Sequence, residues 1–232
     1  MDDYIQAVQA HFSAQADPDM ALPMKNYMRN QFDFLGIKTP EMNRLHKQFI
    51  KQYGWPDSSQ LVSLTKTLWQ WPEREYQYLA LRFVDHFISE LTPDNLTLLE
   101  WLILNKSWWD TVDSIAIHPV GHLFSHFPSE REPYFAKWRS QENIWLRRTT
   151  LLFQLTYKNE TDKALLFSLI EENLGRKEFF INKAIGWALR EYSKTAPATV
   201  EQYVKETALA SLSRREAMKW IKKKAKDAGQ TL

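Results

Sequence analysis

The sequence contains no cysteine, which excludes disulfides and thiolate metal sites and makes the reducing cytoplasm the expected compartment. Glycine is scarce: Gly36, Gly54, Gly121, Gly175, Gly186 and Gly229 are the full set in 232 residues. None sits in an Asn-Gly or Asp-Gly dipeptide and no alternating strand pattern holds up, so hairpins are not expected. No apolar run approaches the roughly 18 residues a membrane span needs. The opening residues Met1-Asp2-Asp3-Tyr4 are acidic where a secretory or mitochondrial leader is basic, so no leader is expected. Strong net charge is also absent, at +2 overall.

That near-neutral total hides a skew. Residues 1–100 hold 9 Lys/Arg against 13 Asp/Glu, and residues 101–232 hold 21 against 15. The basic excess of the second part suits an anionic partner. A solvated basic face is the plain alternative. With 44% apolar residues the chain has material for a packed core.

What is present reads as helix throughout, in about a dozen segments. Thr39-Pro40-Glu41 and Thr92-Pro93-Asp94 each place a cap, a proline at the first helical position and an acid. Ser129 with Glu132, and Ser213 with Glu216, have the spacing of capping boxes. The segments repeat weakly. Trp109-Asp110-Thr111-Val112-Asp113 aligns with Trp145-Leu146-Arg147-Arg148-Thr149, and that in turn with Phe180-Ile181-Asn182-Lys183. Related pieces lie about one period either side, at Glu75-Tyr76-Gln77 and Arg215-Glu216-Ala217. Helix pairs repeating at this length predict an all-α, α-α superhelix of HEAT-like or armadillo type, with about six repeats in a single domain over 1–232 and a concave surface. A plain helical bundle is the alternative.

The chain is organised around Lys106-Ser107-Trp108-Trp109-Asp110-Thr111-Val112-Asp113-Ser114. Ser107 followed by Asp110 reads as a helix start. Trp109 and Asp113 then stand at i and i+4 on one face, a ring beside a carboxylate where a cation can sit. The bland reading is a packed ring beside a solvated acid. Further along, Lys183, Trp187, Arg190 and Lys194 recur at steps of 4, 3 and 4, a basic face with a Trp in its middle. Gly186 beside that Trp costs a helix about 1 kcal/mol against alanine, so something approaches closely: a ligand backbone or a neighbouring helix. Arg148 occupies a comparable position in the preceding unit. Trp108, Trp138, Trp145 and Trp220 are expected to be core or inter-repeat packing. The lysines of 219–226 either touch phosphates or form a solvated last helix.

His118, His122 and His126 have a spacing that could serve a metal, but Pro119 is expected to open a new helix and leave His118 outside the stripe. No metal site and no cofactor are expected.

The 106–114 segment, Asn143-Ile144-Trp145-Leu146 and the run Lys177 to Trp187 resemble the AlkD-type DNA alkylation repair glycosylases. So do Phe34-Leu35-Gly36-Ile37 with Thr39-Pro40, and Leu212-Ser213-Arg214-Arg215-Glu216-Ala217. The resemblance covers nearly the whole chain. It implies a HEAT-like solenoid holding duplex DNA and hydrolysing the glycosidic bond of purines alkylated at ring nitrogen 3 or 7. It matches Trp109, Asp113 and Trp187 to residues that contact the lesion nucleotide, and Arg148 to a groove arginine. It also places Tyr27 near the DNA and suggests work from the backbone side without a base pocket.

The chemistry is consistent with those residues. An alkylated purine is cationic and leaves readily, so the protein must mainly stabilise positive charge developing on the sugar. Asp113 is suited to that and is expected to be partly open to solvent, with the indole faces of Trp109 and Trp187 holding the sugar. Arg148, Lys183, Arg190 and Lys194 are expected on phosphates, in a monomer. A non-catalytic repeat module binding nucleic acid or an acidic protein is the alternative, although a pure polyanion binder gains nothing from a carboxylate at Asp113.

Overall fold

A computed structural model describes residues 2–229. Among these residues no strand forms, and an isolated backbone bridge pairs Asp33 with Glu73. The fold class is all-α, of the α-α superhelix type. The chain divides into two compact units after Leu91.

The first unit contains α1 (Asp2–Ser13), α2 (Pro18–Tyr27), α3 (Thr39–Tyr53), α4 (Leu61–Gln70) and α5 (Arg74–His86). α1 packs on α3 through Phe12, whose ring lies 6.2 Å from Phe49, and α4 packs on α5. The Phe34-Leu35-Gly36-Ile37 stretch has a structural reason. Gly36 adopts φ +91°, and a Cβ there would stand 2.0 Å from the Asp17 carbonyl oxygen. This turn aims the amides of Leu35, Gly36 and Ile37 at the buried Glu75 carboxylate, at 2.9, 2.9 and 3.0 Å. Burial pushes the Glu75 carboxyl up, against the pull of those amides. α3 starts one residue earlier than expected: Lys38 is the cap residue and Thr39 is already helical.

The second unit contains α6 (Leu96–Leu104), α7 (Trp109–Ile115), α8 (Gly121–His126), α9 (Pro128–Ser140), α10 (Ile144–Leu152), α11 (Lys163–Glu171), α12 (Phe179–Ser193), α13 (Pro197–Glu206), α14 (Ser211–Ala217) and α15 (Lys219–Asp227). Within it α7 lies beside α10, α10 beside α12 and α12 beside α14. α6 packs against α7, α9 and α11 against α10, and α13 against α12. The aligned sequence segments of this unit therefore form one row of neighbouring helices, each backed by a partner.

Several local expectations are corrected. Thr92 does start a turn, its amide donating to Asn95 Oδ1 at 2.8 Å, but Ser107 does not cap α7. Its hydroxyl donates to the Ile103 carbonyl at 2.5 Å, and extended Trp108 is the cap residue. Ser129 is already inside α9, behind Phe127. Ser213 is inside α14, where its hydroxyl donates to the Asn182 carbonyl of α12 at 2.8 Å. Pro119 does not open a helix. It lies buried in a π-helical turn, Ala116–Val120, that joins α7 to α8. His118 is exposed, while the rings of His122 and His126 stand 4.1 Å apart. Among the described residues no three His, Asp or Glu side chains gather as a metal set.

Candidate functional site

Trp109 is the first residue of α7 and Asp113 follows one turn later. The register of α7 is set by its neighbour Trp108, whose extended backbone turns its ring into the row of helices. That ring lies 5.7 Å from Trp145 of α10 and 5.1 Å from Phe180 of α12, and these two are 5.0 Å apart. Three helices are thus pinned at the same level by aromatic packing. Trp138 is fully buried in α9, and Trp220 of α15 lies 5.8 Å from the Lys224 ammonium.

One turn below this cluster, Arg148 of α10 reaches Asp113. Its Nε and Nη2 donate to Oδ1 and Oδ2 at 2.6 and 2.7 Å, and its Nη1 donates to the carbonyl of Phe180. Asp113 is 8% exposed and Arg148 3%. Two expectations are corrected here. Asp113 is buried, not open to solvent. Arg148 is spent on a carboxylate and a backbone carbonyl beneath the surface, so its guanidinium is not presented to an external phosphate.

Burial pushes the Asp113 carboxyl above the ordinary aspartate range; the hydrogen bonds and charge of Arg148 pull it down, and Asp110 adds to the rise. The two-pronged geometry, with both oxygens accepting, is that of the ionised form. The arrangement holds an ionised carboxylate in a fixed orientation, beside its Arg148 counter-charge, on the helix face that carries Trp109. It is suited to stabilising a cation placed against that ring.

A second cluster forms on α12. Lys183, Trp187 and Arg190 share a face, and each is partly exposed. Lys183 Nζ lies 2.8 Å from Glu216 Oε1, Arg190 Nη1 2.9 Å from Oε2, and Lys219 Nζ 2.6 Å from Oε1. Glu216 is 2% exposed. Burial alone would raise its carboxyl; the bonds from Lys183 and Lys219 outweigh that and hold it at about 2. Gly186 permits the contact: a Cβ there would meet Glu216 Cβ at 2.5 Å and the Ser213 carbonyl oxygen at 2.8 Å. The close approach expected at Gly186 is therefore that of a neighbouring helix, α14.

Lys194 is exposed and pairs with Glu191 at 2.6 Å. Tyr27, at the end of α2 in the first unit, is 72% exposed. Sequence reasoning missed Glu216 and Lys219 as members of the basic face. The Ser213–Glu216 spacing drew attention to a local cap and away from contacts made 26 and more positions away in sequence.

The family model for DNA alkylation repair enzymes matches residues 8–221. No curated protein matches. Among solved structures the chain is similar to a predicted DNA alkylation repair enzyme from Enterococcus faecalis, at 36% identity and a TM-score of 0.81. That similarity covers 89% of this chain and 97% of the other.

Proposed function

The chain belongs to the DNA alkylation repair enzyme family, and from that premise we propose that it is a DNA glycosylase acting on cationic alkylpurines in duplex DNA. The reaction is hydrolysis of the N-glycosidic bond of 3-methyladenine and 7-methylguanine type lesions, the first step of base excision repair. The observation that supports it is the buried, two-pronged Asp113–Arg148 pair on the face of Trp109.

Ring alkylation already makes the base a good leaving group, so the reaction needs little from a general acid. As the bond breaks, positive charge grows on the sugar. A carboxylate held ionised in a dry site stabilises that charge without reorganising. Asp113 supplies it and can also orient the attacking water. Arg148 acts through Asp113: a lone buried carboxylate would take up a proton, and the paired guanidinium keeps it anionic and fixed. The faces of Trp109 and Trp187 hold the sugar and favour its cationic form. Lys183, Arg190 and Lys194 bind backbone phosphates, and Tyr27 is a further DNA contact in the first unit. The protein acts as a monomer in the cytoplasm; among the described residues no helix is long and apolar enough to cross a membrane.

The test is incubation with methylated duplex DNA and measurement of free 7-methylguanine and 3-methyladenine. Release supports the proposal. Tight binding without release would instead favour a non-catalytic DNA-binding module.

A further inference from the structure

Building on the reading that this chain acts on duplex DNA, we propose that Lys183, Arg190 and Lys219, gathered by Glu216, form a docking site for one backbone phosphate beside Trp187. Glu216 is a positioning residue in this site.

The geometry is asymmetric. The carboxylate lies beneath the surface at 2% exposure, whereas the three cations reach solvent: Lys219 is half-exposed, and Lys183 and Arg190 are partly exposed. One negative charge faces three positive ones, so the cluster keeps an excess of two. A purely structural ion pair would be neutralised within itself; this one presents uncompensated charge outward. An ammonium has three donors and a guanidinium five, so each cation that bonds Glu216 keeps hydrogens for a second acceptor. A phosphodiester carries one negative charge and two free oxygens, which suits that excess.

Position supplies the rest. On α12, Lys183 lies one turn before Trp187 and Arg190 one turn after it. Lys219 adds a third cation from α15, across from α12. Lys183 and Arg190 flank Trp187 on α12, and all three cations meet at Glu216, which Gly186, the residue before Trp187, lets come in close. Without the central anion, three like charges would repel and splay, and long side chains would have to be ordered on binding. Glu216 removes that cost in advance. The phosphate it prepares for belongs to the nucleotide held by Trp187, or to its neighbour.

The test is a double-mutant cycle on the full chain with undamaged duplex DNA at fixed salt. In the parent protein, Lys183→Ala is expected to weaken binding about fivefold, the scale of one charge-assisted phosphate contact. In the Glu216→Gln background the same change should cost less than about twofold, because the ammonium is no longer placed. An equal or larger loss in that background would mean Glu216 merely competes with phosphate, and would overturn the proposal. Thermal melts of each variant separate positioning from damage to the fold. If Glu216→Gln fails to fold, Lys219→Ala decides: its side chain is half-exposed, and it should weaken binding about threefold and lower the salt slope by about one phosphate. Unchanged affinity and slope would contradict the site. If the parent protein does not bind duplex DNA at all, the proposed function fails as well; binding with purely additive losses overturns this inference alone.

Discussion

Arg148 grips Asp113 with two parallel hydrogen bonds, 2.6 and 2.7 Å long, and both residues are buried. The pair ties α7 to α10, and the remaining arm of Arg148 ties α10 to the start of α12. Breaking such a pair from one side strands a charge. Arg148→Ala should therefore destabilise the protein by about 3–5 kcal/mol. Asp113→Asn keeps an acceptor for Arg148 and should cost less, about 1–3 kcal/mol. Thermal or urea unfolding of the two variants checks the order. Equal stability to the parent protein in both would show that the pair does not hold the row of helices together.

This pair also shows how far the sequence can be read. The i, i+4 spacing of Trp109 and Asp113 was enough to put them on one face, because helix geometry is local. The role of Arg148 was not legible, since a positive charge in a sequence carries no sign of burial. Ser213 and Glu216 have the spacing of a capping box, yet their partners lie on other helices, α12 and α15. Ser107 donates backwards to Ile103 where a cap would accept. Pro119 sits in a π turn, which a helix-breaking rule does not foresee. The row of helices was legible because repeats state it several times; caps and buried ion pairs are stated once and depend on partners distant in sequence.

Gly186→Ala is expected to destabilise the protein although alanine favours helix by about 1 kcal/mol. The new Cβ would meet the Ser213 carbonyl oxygen at 2.8 Å and Glu216 Cβ at 2.5 Å, so α14 must move. The measurement is the melting temperature beside DNA affinity. A more stable variant would contradict the packing described here.

Glu216 links stability to acid. Its carboxyl is held at about 2, below the ordinary 4.5. A lowered pKa means stability present above about pH 4.5 and lost as pH falls toward 2. In the parent protein this amounts to roughly 2–3 kcal/mol, after discounting for the solvent that screens its partly exposed partners. Glu216→Gln should flatten that part of the pH–stability curve. An unchanged acid limb would show that the three cations do not act on this carboxylate.

Salt dependence checks the DNA contacts assigned to Lys183, Arg190 and Lys194. Affinity for duplex DNA should fall log-linearly with salt, and replacement of Arg190 or Lys194 by alanine should weaken binding to all sequences about equally. A flat salt response or altered sequence preference would count against these contacts.

Asp113 decides whether this protein is a glycosylase of the kind proposed, through single-turnover release of 7-methylguanine from methylated duplex at saturating enzyme, comparing the parent protein with folded Asp113→Asn. The carboxylate is the active form and burial raises its pKa, so the parent rate should fall on acidification at a pH above the ordinary aspartate range. At neutral pH the parent protein is expected to release the base and the variant to lose roughly 10²–10³ of that rate, with DNA affinity held. No release by the parent protein, or release by Asp113→Asn at the parent rate, would contradict it.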